Sequence, residues 1–116
     1  MLKVYFKPTC STCRTALGLL KDETDEQIEL YEYYKEAPTE KELKELLKML
    51  GLKAEQIVRK KESLYKEQFA DKKMSEQEWI KALSKNPILI ERPIVIKDGK
   101  AIIGRPPERV LELFGK

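Results

Sequence analysis

Histidine is absent from the 116 residues, and that absence removes a large share of enzyme chemistry. No Cys–His or Ser–His dyad can form, and no H-E-x-x-H metal motif exists. Phosphate loops of the G-x-x-x-x-G-K-[ST] and G-x-G-x-x-G kinds are missing too. No apolar run approaches the roughly 20 residues of a membrane span, so no membrane partner is expected. No cleavable leader is expected either, because Leu2–Phe6 reads as a strand that runs straight on to Cys10. Neither sign of charge prevails: 23 Lys and Arg stand against 20 Asp and Glu, a net charge of +3. Charges so interleaved lack the footprint of a nucleic-acid binder, and no nucleic-acid partner is expected. Cysteine is scarce, with only two, too few for a closed four-ligand zinc site within one subunit, so no metal is expected.

What the chain does hold is Cys10-Ser11-Thr12-Cys13. The pair follows a short apolar run, Leu2-Lys3-Val4-Tyr5-Phe6, and a turn at Pro8. It opens a helical pattern of Ala16, Leu17, Leu19 and Leu20. A C-x-x-C at a strand-to-helix junction reads as a redox motif. Backbone N–H groups and the positive end of the helix dipole stabilise a thiolate there. Two cysteines three apart share one face of the first turn, within reach of a disulfide. Two small buried residues are the plainer alternative. With histidine gone, any nucleophile must be activated by a helix terminus, by cations or by hydrogen bonds.

The length suits one small domain spanning 1–116, and 41% hydrophobic residues suffice for one core. A charged fraction of 37% and a lone C-x-x-C suggest a reducing, cytoplasmic setting. A monomer is expected, since no large apolar stripe is left over once the core is assigned.

Periodicity gives the order of elements. Leu2–Phe6 is a strand, about Ser11–Lys21 a helix, and Ile28–Tyr31 a second strand that extends at most to Tyr33. A strand–helix–strand of this length implies a parallel pair. Thr39-x-x-Glu42 is a capping box before Leu43, Leu46, Leu47 and Leu50, and Gly51 ends that helix. Ala54–Val58 and Leu64–Phe69 suggest shorter helices. Ser75-x-x-Glu78 is a second capping box, with Trp79, Ile80 and Leu83 behind it. Pro87–Ile90 is a strand or a buried connector. Ile94–Ile96 and Ala101–Ile103 flank Asp98-Gly99, a hairpin signal. Pro106-Pro107-Glu108 starts a final helix. The resulting β-α-β … β-β-α order is an α/β, thioredoxin-like layout with a helical insertion over about 38–86.

Three arginines stand out. Arg59 lies in Ile57-Val58-Arg59-Lys60-Lys61, Arg92 enters the hairpin and Arg105 leaves it. Pairing of the hairpin strands brings the backbones of Arg92 and Arg105 to one open end. Guanidinium groups bind tetrahedral oxyanions in a fork and stay charged. Near a thiolate they would lower its pKa and gather an anionic substrate. Surface ion pairing with Glu91 or Glu108 is the alternative.

Four stretches carry a family resemblance: Tyr5-Phe6-Lys7-Pro8-Thr9-Cys10-Ser11-Thr12-Cys13-Arg14; Ile57-Val58-Arg59-Lys60-Lys61 followed by Tyr65; Pro87-Ile88-Leu89-Ile90-Glu91-Arg92-Pro93-Ile94-Val95; and Gly104-Arg105-Pro106-Pro107-Glu108. Over nearly its whole length the chain resembles the arsenate reductase (ArsC) family of the thioredoxin superfamily, which also contains the Spx regulators. The resemblance implies that Cys10 is the nucleophile, that Arg59, Arg92 and Arg105 bind the oxyanion, and that the bond before Pro93 is cis. Glutaredoxin-dependent arsenate reductases commonly have Ser where Cys13 stands, and often a His where Phe6 stands. Cys13 looks like the Spx pattern instead, yet Spx proteins generally lack an arginine matching Arg105. The arginine triad thus draws the chain closer to the reductases.

The function so implied is reduction of arsenate, or a similar oxyanion, to arsenite through an adduct on Cys10. Cys13 or glutathione would supply the second thiol. No cofactor is expected to be bound, and glutathione, glutaredoxin or thioredoxin would serve as electron donor and partner. Two alternatives remain at this level. One is an Spx-like redox switch that binds RNA polymerase, with Cys10–Cys13 as its sensor. The other is a general glutathione-linked thiol oxidoreductase.

Overall fold

The computed structural model describes Leu2–Lys116; Met1, included in the single domain expected over 1–116, lies outside the described residues. The chain divides into two compact units. One runs up to Tyr33 and resumes at Arg92–Lys116, and the other is Tyr34–Glu91.

The first unit is built on a four-stranded sheet. Strands β1 (Leu2–Tyr5), β2 (Ile28–Tyr31), β3 (Ile94–Lys97) and β4 (Lys100–Ile103) lie in the order β2-β1-β3-β4. Helix α1 (Ser11–Glu23) connects β1 to β2, which pair in parallel with Leu2 opposite Ile28 and Tyr5 opposite Tyr31. β3 is antiparallel to β1, with Val4 opposite Val95, and antiparallel to β4, with Val95 opposite Ile102. The β3–β4 turn has Asp98 and Gly99 at φ of 50° and 80°, the left-handed pair that a two-residue hairpin requires. The mixed α/β, thioredoxin-like architecture read from the pattern is therefore the one observed.

Register decides which side chains make the core. Leu2, Val4 and Phe6 alternate along β1 and meet Val95 and Ile102 across the sheet. From α1 come Cys13, Ala16 and Leu20, each one or two turns apart and each fully buried. Truncating Leu20 to Ala would remove about 2–5 kcal/mol, the ordinary range for a buried leucine.

The C-terminal segment Pro107–Phe114 winds as a 3₁₀ helix, with Pro106 before it and Gly115 closing it at φ 77°. Three residues per turn put Pro107, Val110 and Leu113 in one row, and Val110 and Leu113 pack on the core from there. Gly104 has no room for a side chain: a Cβ there would sit 2.9 Å from Val110 Cγ1 and 3.0 Å from Pro93 Cγ.

The second unit is helical, as the insertion pattern requires. Helices α2 (Glu40–Leu50), α3 (Ser63–Gln68) and α4 (Glu76–Lys85) are joined by 3₁₀ turns at Ala54–Ile57 and Pro87–Leu89. Both expected capping boxes form, at Thr39/Glu42 and at Ser75/Glu78. Gly51 closes α2 at φ 70°. Glu76, at the start of α4, accepts the Ala54 N–H with both carboxylate oxygens at 3.1 Å. It thereby satisfies an orphan donor of the first 3₁₀ turn. Pro87–Ile90 is a connector: its 3₁₀ turn leads into an isolated antiparallel bridge between Ile90 and Val58. The Arg59 N–H donates to the Leu89 carbonyl at 2.7 Å and the Glu91 N–H to the Ile57 carbonyl at 2.8 Å. Among the described residues, no helix is long and apolar enough to cross a membrane.

Candidate active site at one end of the sheet

Strand direction gathers the chemistry of the first unit. β1 and β2 run in parallel, so the residues after them leave at the same end of the sheet. β3 runs the other way and so starts from that end, and β4 returns to it. Cys10 follows β1, Tyr33 follows β2, Arg92 precedes β3 and Arg105 follows β4. Four sequence-distant segments thus converge by topology alone.

Cys10 is the N-cap of α1, with extended backbone at φ −90° and ψ 114°, and its sulfur accepts the Cys13 N–H at 3.4 Å. A sulfur here takes the place usually given to Ser, Thr, Asp or Asn, whose side-chain oxygen satisfies an unpaired amide. The acceptor is better as a thiolate, and the helix dipole favours the same state. The loop is held by the Cys10 N–H, which donates to the Lys7 carbonyl at 3.0 Å, and by Arg14 Nη1, which donates to the Pro8 carbonyl at 2.7 Å. Both cysteines are free thiols. Cys10 retains 9% of its surface and Cys13 none, so an outside reagent meets Cys10 first.

The two thiols titrate in opposite directions. Burial opposes a charge on Cys10, but the Cys13 thiol and amide and the Arg92 guanidinium outweigh it and hold Cys10 below the ordinary thiol value. Burial also dominates at Cys13. Together with the hydrogen bond to Cys10 and the charge of that neighbour, it pushes Cys13 up to about 12, although the Lys7 amide works against it. The pair is therefore poised as a thiolate at Cys10 and a proton-bearing thiol at Cys13.

Arg92 and Arg105 meet at the mouth of the hairpin, as the strand pairing demands. Arg105 Nε donates to the Arg92 carbonyl at 2.7 Å, and Gly104 N–H donates to the Pro93 carbonyl at 2.9 Å. Arg105 Nη2 lies 3.8 Å from Cys10 Sγ, and the Arg92 guanidinium hydrogen-bonds the same sulfur. The Arg92–Pro93 peptide is cis, and so is Arg105–Pro106, which the pattern gave no reason to expect.

Arg59 belongs to the helical unit. There its Nε meets Glu62 at 3.1 Å and its Nη1 meets Glu91 at 3.2 Å. The ion pair with Glu91 raised by the sequence is thus formed by Arg59. Its immediate partners in that unit are carboxylates, whereas those of Arg92 and Arg105 include a thiol.

Tyr33 is a neighbour of the site that pattern reasoning leaves at the end of a strand. It is completely buried, stacked on Tyr5 at 5.5 Å between ring centroids, and hydrogen-bonded to the Arg92 guanidinium. The available signal was topological: a residue just past β2 must lie at the same end as Cys10.

The ArsC family model matches residues 5–113, and the chain belongs to that family. It is 48% identical to the uncharacterized protein YfgD of Escherichia coli (strain K12), covering 98% of this chain and 97% of that protein. It is 41% identical to an arsenate reductase of Haemophilus influenzae, covering 96% and 97% of the two chains. The solved arsenate reductase from Vibrio cholerae superposes with a TM-score of 0.89 at 40% identity, over 96% of this chain and 95% of that one. Family and fold together define an arsenate-reductase-like thiol oxidoreductase.

Proposed function

We propose that the chain reduces arsenate to arsenite with thiol electrons, using Cys10 as nucleophile. The observation that carries this reading is the Cys10 sulfur itself. It caps α1, lies 3.8 Å from Arg105 Nη2 and is hydrogen-bonded by Arg92. Two forked cations beside a thiolate suit an attack on a tetrahedral oxyanion, because they neutralise the charge brought against the nucleophile.

In the first step the Cys10 thiolate bonds to arsenic(V), and one arsenate oxygen leaves as water after protonation. In the second, another thiolate attacks the Cys10 sulfur. A disulfide forms, the S–As bond breaks, and its electron pair stays on arsenic, which departs as arsenite. Two thiols are oxidised as arsenic(V) becomes arsenic(III), so the electrons balance. Cys13 is the internal candidate for the second thiol. Its pKa is raised in part by the hydrogen bond and charge of Cys10. Capping Cys10 with arsenic removes both influences, so Cys13 becomes easier to ionise just when it is needed. A thioredoxin, or glutaredoxin with glutathione, then restores the dithiol.

In this reading Arg59 contributes a third guanidinium, as its Ile57–Lys61 motif implies, and the chain acts as a monomer in a reducing, cytoplasmic compartment. A switch that only senses oxidants would have little use for Arg105 beside the sulfur, which favours the enzyme. The test is coupled turnover of arsenate, comparing thioredoxin with glutathione and glutaredoxin as electron source. One turnover without reductant should consume two thiols per chain and leave a Cys10–Cys13 disulfide. A mixed disulfide of Cys10 with glutathione and a free Cys13 would assign the second step to an external thiol. Failure of arsenate to oxidise Cys10 with either donor would overturn the reading.

A further inference from the structure

We infer that Tyr33 is a positioning residue for the oxyanion site, its buried hydroxyl aiming the Arg92 guanidinium at Cys10. The inference rests on the reading of Cys10 and Arg92 as thiolate and anion ligand.

The ring of Tyr33 cannot wander. It is fully buried and stacked on Tyr5 at 29° between ring planes. Tyr31, the last residue of β2, sits 6.5 Å from it at 63°. Tyr5 in turn is edge-on to Tyr31 at 4.9 Å and is opposite Tyr31 and Ile94 in the sheet register. Three rings therefore form a block whose position is set by strand pairing, and the Tyr33 hydroxyl is carried on it. A buried phenol needs a hydrogen-bond partner, and here the phenolic oxygen accepts from Arg92.

On the other side, Arg92 is held through its backbone. Its carbonyl accepts from Arg105 Nε at 2.7 Å, and its own Nε is buried. The planar guanidinium presents its N–H donors in a fixed fork. Arg92 hydrogen-bonds both Tyr33 and Cys10, so the hydroxyl on the ring block helps set the direction in which the guanidinium faces the sulfur. Loss of the hydroxyl leaves the cation present but less firmly aimed, which is the kind of small misplacement that costs rate and affinity.

The experiment compares Tyr33→Phe with Tyr31→Phe, which removes a hydroxyl from the same ring block. Alkylation of Cys10 by iodoacetamide is followed against pH, and the KM for arsenate and kcat are measured with thermal unfolding as a check on folding. Tyr33→Phe should move the midpoint of the Cys10 pH profile upward and raise KM about three- to tenfold, the worth of one ordinary hydrogen bond. Its kcat should fall less, and its folded content should stay that of the parent. Tyr31→Phe should leave the pH midpoint in place. An unchanged midpoint in Tyr33→Phe, or equal shifts in both variants, would overturn the inference. The alkylation profile needs no arsenate. If arsenate proves not to be a substrate and Tyr33→Phe still moves the midpoint, the positioning role stands while the proposed reaction falls. A Tyr33→Phe protein that unfolds is replaced by Tyr33→Trp, which keeps a ring but not the phenol and must shift the midpoint the same way.

Discussion

Arginine is used in opposite ways in the two units of this molecule. In the sheet unit Arg105 is anchored by a backbone carbonyl and points an Nη toward a thiol, and Arg92 hydrogen-bonds that same thiol. In the helical unit Arg59 is gripped by two carboxylates, Glu62 and Glu91. A carbonyl holds a guanidinium in place without cancelling its charge, so the field still acts on sulfur and on any arriving anion. Two carboxylates offset that charge locally and tie Arg59 to two segments of its own unit. The same residue type is thus held by a neutral partner in one unit and by anionic partners in the other.

The harshest test of the contrast is Cys10→Ser. It removes the thiolate on which the sheet-unit arginines act, and arsenate-dependent thiol oxidation should drop by at least about a thousandfold. Residual turnover near the parent rate would mean that the guanidinium–sulfur geometry is incidental. Next comes Arg105→Lys. Charge is kept but the fork is lost, and oxyanion affinity measured by calorimetry should fall about 10- to 100-fold, from the ~1.5–3 kcal/mol of a charged hydrogen bond. An unchanged affinity would make Arg105 a structural cation.

The thiol pair offers a pH test of the same contrast. Iodoacetamide should label Cys10 below the ordinary thiol value of about 8.5, while Cys13 resists until the pH approaches about 12. For folding the sign follows from Cys13. Between the ordinary thiol value and about 12 the folded chain keeps a proton that the unfolded chain has lost. Stability must fall as pH rises through that window, and Cys13→Ala should flatten the decline seen in urea melts.

Packing gives a smaller effect with a built-in control. Gly104→Ala drives a methyl into Val110 and Pro93, and should cost about 1–3 kcal/mol in thermal unfolding. Gly18→Ala, on the exposed side of α1 with nothing within 4 Å, should instead stabilise by about 0.5–1 kcal/mol. The smallest change is expected from Glu91→Gln. Relieving Arg59 of one carboxylate should cost under about 1 kcal/mol of stability in thermal unfolding. A larger loss would make the Arg59–Glu91 pair a main support of the helical unit.

Much of this fold is legible in the sequence. Alternation in Leu2–Phe6, the Asp98-Gly99 turn and the two capping boxes each rest on local rules, and each element appears within about a residue of its expected limits. Cys10 was legible because a helix N-terminus after a strand is itself a local event. The 3₁₀ winding of Pro107–Phe114 was not, because a run with apolar residues at Val110, Leu113 and Phe114 fits three or 3.6 residues per turn equally well, and packing on the sheet decides between them. Tyr33 was hidden for a different reason. Its hydroxyl is hydrogen-bonded to Arg92, 59 positions away, and no periodicity reports a contact of that span.

The strand order carries one more consequence, for how the site comes apart. β1 and β3 are paired on both sides, while β2 and β4 are paired on one. Amides of the inner strands should exchange with solvent hydrogen only when the whole sheet opens, whereas edge strands fray at far smaller free energies. Cys10 and Arg92 adjoin the inner strands; Tyr33 and Arg105 adjoin the edges. In a warming sample the sulfur and its first cation should therefore outlast the groups that aim them, and binding selectivity should fade before the thiol loses its reactivity.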